Sequence, residues 1–96
     1  MRYLVTRHLG AVEWCRQQGI DYDYVVDHLD IMTIQPEDEV IGILPIPLVA
    51  YLLEKGAKYF HLTLPLTSEL RGKELTAKVM TQLKCSLKQY HITELN

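Results

Sequence analysis

Ninety-six residues, 48% hydrophobic and 23% charged, are enough for one globular domain with one core and exclude a disordered segment. A net charge of −2 supplies no general basic field, which argues against long nucleic acid or a membrane surface as partner. Cys15 and Cys85 show neither metal-ligand spacing nor a disulfide framework, so reduced thiols in the cytoplasm are expected. Met1 to Val5 is too short for a signal segment, and no apolar run reaches membrane-spanning length.

Tyr3 to Thr6 is a short run of β-formers and predicts a first strand. Ala11 to Gln18 predicts a helix, closed by Gly19 where a left-handed residue commonly ends one. Tyr24 to Leu29 predicts a second strand. The polar stretch Gln35-Pro36-Glu37-Asp38 is a turn, and Val40 to Leu44 a continuous apolar strand. Pro47 suits the first turn of a helix running to Lys55 and stopped by Gly56. That helix is apolar nearly all round, so it predicts cover on more than one side. Tyr59 to Leu64 predicts a fourth strand, and Leu66 to Leu75 a functional loop. Thr76 caps a last helix whose stripe Val79, Met80, Leu83, Leu87 and Tyr90 keeps helical spacing.

Strands that alternate with helices and are apolar on both faces imply a mainly parallel sheet covered on both sides. The expected architecture is a single three-layer α/β domain over residues 1–96. It has four strands in the Rossmann-like, flavodoxin-like order 2-1-3-4. In such sheets ligands sit at the carboxyl ends of the strands, where the order reverses. That directs attention to Thr6-Arg7-His8-Leu9-Gly10, to Leu44-Pro45 and to Pro65 through Glu74.

Thr6-Arg7-His8-x-Gly10 offers a hydroxyl, a guanidinium, an imidazole and the N–H groups of a helix start, a set suited to phosphate. With one glycine it is no dinucleotide fingerprint, and ordinary solvated loop residues are the competing reading. Arg71-Gly72-Lys73-Glu74 sets two cations around a glycine with a carboxylate behind, against a charged solvated loop as the alternative. Asp30 stands at the carboxyl end of the second strand in His28-Leu29-Asp30. His61, in mid-strand, reads as a hydrogen-bonded core or interface histidine, and Trp14 as core. No serine or cysteine hydrolase geometry is present, and no metal or cofactor is called for.

Six landmarks in order carry a resemblance: Val5-Thr6-Arg7-His8, Gly10-Ala11-x-Glu13-Trp14, His28-Leu29-Asp30, Val40-Ile41-Gly42-x-Leu44-Pro45, Gly56-Ala57-x-Tyr59-x-His61-Leu62 and Arg71-Gly72-x-Glu74-Leu75. Over residues 3 to 80 the chain resembles the small stand-alone CRISPR-associated proteins of type III systems, the VVA-type family regarded as ring nucleases. It departs from that pattern at Leu9, at Ile43 and around Leu64-Pro65-Leu66. The resemblance implies a CARF-like homodimer that cuts cyclic oligoadenylate, chiefly the tetra-adenylate, without a metal. It further implies Arg7 and Arg71 as charge stabilisers, His8 as general acid or base, and Glu74 as its partner. Thr6, Gly10, Asp30, Leu44, Pro45, Gly72 and Lys73 then belong to the ligand-binding set. Two other readings remain open at this point: a binder that sequesters the messenger uncut, and a mononucleotide-binding regulatory module.

Overall fold

A computed structural model describes residues 1–64 and 76–96. The chain runs β1 (Arg2–Val5), α1 (Leu9–Gln17), β2 (Tyr24–Val26), a 3-10 turn (Ile31–Thr33), β3 (Glu39–Gly42), α2 (Ile46–Glu54), β4 (Lys58–Thr63), α3 (Ala77–Gln82) and β5 (Ser86–Tyr90). The strands form one sheet in the order β2-β1-β3-β4-β5. β2, β1, β3 and β4 are parallel, with Leu4 opposite Ile41 and Val40 opposite Tyr59, while β5 runs antiparallel along β4.

The two faces of the sheet follow from the period-2 alternation of strand side chains. Leu4, Ile41 and Leu62 point to one face, where Ala11, Trp14 and Cys15 of α1 and Met80 of α3 complete a buried cluster. Ala11, Trp14 and Cys15 are spaced i, i+3, i+4, which is why α1 presents one continuous apolar stripe. Val40 and Tyr59 point to the other face, against Val49 and Leu52 of α2 with Ile34 and Ala57. Both helices end as anticipated, Gly19 and Gly56 holding φ of 73° and 97°, a region that costs other residues a Cβ clash.

Two expectations are corrected. The sheet has five strands and is mixed, not four-stranded and parallel. The last helix stops at Gln82, with Lys84 in the left-handed region at φ 57°, and the chain returns as β5 rather than continuing to Tyr90. Leu87 and Tyr90, three apart, fit a helical stripe equally well. Pairing with β4 wins because it satisfies the backbone groups of an edge that would otherwise stand open. β2 is also shorter than expected, ending at Val26, because β1 ends at Val5 and offers nothing further to pair. Among the described residues no helix is long and apolar enough to cross a membrane.

The turn before β3 is tied by Asp38, which is buried and accepts from the Gln35 backbone N–H at 2.8 Å. That hydrogen bond lowers its pKa below the ordinary carboxylate value. Burial opposes the shift, and the amine of Met1 at 3.1 Å adds to it. A depressed folded-state pKa contributes stability above the unfolded pKa and loses it as pH falls through the folded one. Asp38→Asn is therefore expected to unfold at lower denaturant concentration at pH 7. Its disadvantage should shrink as the pH is taken below the unfolded carboxylate value of about 3.9. Urea titrations of both proteins at pH 7 and pH 3 check this, and an equal gap at both would refute it.

Candidate functional site

The carboxyl ends of β1, β2, β3 and β4 surround a cavity of about 440 Å³. Strand order reverses between β1 and β3, so the segments that leave these two strands diverge and open the crevice between them. Thr6, Arg7 and His8 come from the segment after β1, Asp27 and His28 from after β2, and Ile43, Leu44 and Pro45 from after β3. The floor is apolar, built from Leu29, Leu44, Leu48, Leu62 and Leu64. The rim is polar, set with the Arg7 guanidinium, the Asp27 carboxylate and the imidazoles of His8 and His28.

Local hydrogen bonds shape the rim. The Thr6 hydroxyl accepts the His8 N–H at 3.1 Å, which sets the turn from β1 into α1. His8 is the residue before the helix, and its side chain makes no capping hydrogen bond to the first N–H groups of α1. Arg7 Nη2 donates to His28 Nε2 at 2.6 Å across the mouth.

The β3 wall is braced from beneath by Tyr59, which is 1% exposed. Its hydroxyl accepts from the Leu44 N–H at 3.0 Å and donates to the Gly42 carbonyl at 3.0 Å. His61 Nδ1 lies 2.7 Å from the same oxygen, and the count of donors closes when that nitrogen carries its proton. Burial raises the phenol's pKa, with the Leu44 N–H acting against it, so Tyr59 stays neutral and serves as a brace. At Gly42 a methyl group would stand 3.0 Å from the Val5 carbonyl oxygen, so the ends of β1 and β3 approach this closely only around a glycine.

The structure thus brings together Thr6, Arg7, His8, Leu44 and Pro45 of the expected set. Asp30 is elsewhere employed: its carboxylate accepts from the Met32 N–H at 3.0 Å and caps the 3-10 turn. Gly10 is the second residue of α1 and does not line the cavity. Arg71, Gly72, Lys73 and Glu74 lie outside the described residues, as does the rest of the loop expected over Leu66 to Leu75. Sequence reasoning left out His28 and Asp27. His28 already stood in the His28-Leu29-Asp30 landmark, but that His28 and Leu29 line the crevice while Asp30 does not depends on where β2 ends.

Cys15 is buried, and burial pushes its thiol up to about 11, which leaves it protonated and unreactive at neutral pH. Among the described residues no group of three or more His, Cys, Asp or Glu is placed to hold a metal ion.

Fold and site together define an α/β domain with a crevice at the reversal of strand order, apolar below and polar at the rim, where Arg7 stands. The chain belongs to the CRISPR-associated family described as "Putative CRISPR-associated protein (Cas_VVA1548)", whose model matches residues 3–93. Neither the curated proteins nor the solved structures contain a match to it.

Proposed function

We propose that this chain binds a cyclic oligoadenylate, chiefly the tetra-adenylate, and cuts it to linear products ending in a 2′,3′-cyclic phosphate. Such a reaction switches off the signalling of a type III CRISPR system in the cytoplasm. Membership of a CRISPR-associated family supports the setting. The observation that carries the reading is the crevice itself: Arg7 and His8 stand over an apolar floor large enough for a base. The parallel order β2-β1-β3-β4, reversing between β1 and β3, supports a Rossmann-like, CARF-like reading with β5 as an addition at one edge.

The nucleophile comes with the substrate, because each ribose 2′-OH lies beside its own 3′-phosphate. The protein has to hold the ribose for in-line attack, stabilise charge growing on the phosphate oxygens, and move one proton. Arg7 suits the second task, since a guanidinium matches two phosphate oxygens. His8 suits the third, because an imidazole can take up a proton at one step and give it back at another. Arg71 as a second charge stabiliser and Glu74 as partner of His8 enter on the sequence argument alone.

The deciding experiment is a single turnover with excess protein and radiolabelled cyclic tetra-adenylate. Linear product with a 2′,3′-cyclic phosphate is expected, and a ring that stays bound and intact would replace the enzyme with a sequestering binder. Because the charge is supplied by side chains, cleavage is expected to continue in EDTA. Activity lost in EDTA and restored by a divalent ion would overturn the metal-free route.

The ring's symmetry suits a homodimer, which presents each rim twice. Exposed Ile46 (67%) and Tyr51 (45%) on α2 support it, since apolar surface of this kind invites cover. Light scattering at tens of micromolar is expected to report about 22 kDa, twice the 11.1 kDa of one chain. A mass of one chain with ligand present would refute the dimer.

A further inference from the structure

Arg7 Nη2 lies 2.6 Å from His28 Nε2. A guanidinium has donors and no acceptor, so the proton between them is Arg7's and His28 Nε2 offers a bare lone pair. We infer that His28 is the positioning residue of Arg7, a neutral imidazole protonated on Nδ1 that aims the guanidinium over the mouth of the crevice. This rests on reading the crevice as the phosphate site.

The choice of partner has a physical consequence. Asp27 also lines the cavity, yet among the described residues Arg7 bonds to the imidazole and not to that carboxylate. A carboxylate partner would orient Arg7 but cancel much of its charge. A neutral imidazole orients it and leaves the whole positive charge for the ligand's phosphate. An exposed arginine otherwise samples many rotamers, and a fixed acceptor removes part of that freedom before the ligand arrives. The other titratable group on the described rim is His8, and the walls from β3, α2 and β4 bring only apolar side chains.

Two measurements test this. Long-range ¹H–¹⁵N spectra of the ligand-free protein report which ring nitrogen of His28 carries the proton. Nδ1–H is expected in the wild type, with a shift toward Nε2–H in Arg7→Ala, because the hydrogen bond at one nitrogen fixes the tautomer. Affinity for cyclic tetra-adenylate is then read in variants. His28→Ala should bind about 3–10-fold more weakly, and His28→Gln, which keeps an acceptor, should stay within about twofold of wild type. His28→Glu should bind more weakly than His28→Ala, since it restores position but cancels charge. Adding His28→Ala to Arg7→Ala should cost nothing further. An Nε2–H tautomer in the wild type, or additive losses in the double variant, would overturn the assignment. A tautomer that depends on Arg7 in a protein that binds no cyclic tetra-adenylate would uphold the positioning and overturn the ligand.

Discussion

His8→Ala is expected to bind cyclic tetra-adenylate with nearly wild-type affinity and to cleave it roughly 10²–10⁴-fold more slowly. The imidazole lies at the rim, exposed, in the turn that Thr6 fixes through the His8 N–H. That hydrogen bond uses the backbone, so removing the side chain leaves the turn and the start of α1 in place. What goes is a group able to take a proton from the 2′-OH or give one to the departing 5′ oxygen. Arg7→Ala differs in kind: a guanidinium that grips the phosphate and tightens on the transition state enters both binding and rate, so both should suffer. Dissociation constants from a shift assay and single-turnover rates for the two variants separate these roles. An unchanged rate in His8→Ala would remove the imidazole from the mechanism and leave in-line positioning with charge stabilisation.

Much of this arrangement is legible in sequence because its signals are local. Gly19 and Gly56 mark helix ends through their own φ, and Thr76 caps α3 by accepting the Val79 N–H at 3.2 Å. Short apolar runs in β1, β3 and β4 place the strands, and their order follows from the handedness of crossovers. The segments after β1 and β3 then meet by topology, so Thr6, Arg7, His8, Leu44 and Pro45 could be named in advance. β5 could not, because neither glycine nor proline announces the break at Leu83 and Lys84, and its partner β4 lies distant in sequence. The pairing of Arg7 with His28 spans 21 residues and depends on β2 ending at Val26, a boundary set by the length of β1. Asp30 illustrates the reverse error. A carboxylate near a strand end invites a ligand role, while its nearest need is the unsatisfied N–H of Met32.

Tyr59→Phe tests whether the floor of the crevice is held from below. The substitution removes one buried oxygen and leaves the ring, so packing against Val40, Val49 and Leu52 is preserved. Three partners lose their contact at once: the Leu44 N–H, the Gly42 carbonyl and His61 Nδ1. A donor or acceptor left without a partner in a buried position costs about 1–3 kcal/mol, and for a domain of this size that lowers Tm by roughly 5–15 °C. The Leu44 N–H can recover a partner only by turning toward water, which moves Leu44 off the floor and Pro45 off the rim. Ligand affinity should therefore fall together with stability, although no atom of Tyr59 lines the cavity. His61→Ala is the control, because it removes one contact of the hydroxyl and leaves those to Leu44 and Gly42, so a smaller loss on both counts is expected. Thermal melts and dissociation constants for cyclic tetra-adenylate measure the pair. A Tyr59→Phe protein with wild-type Tm and wild-type affinity would show that the β3 wall stands without its brace.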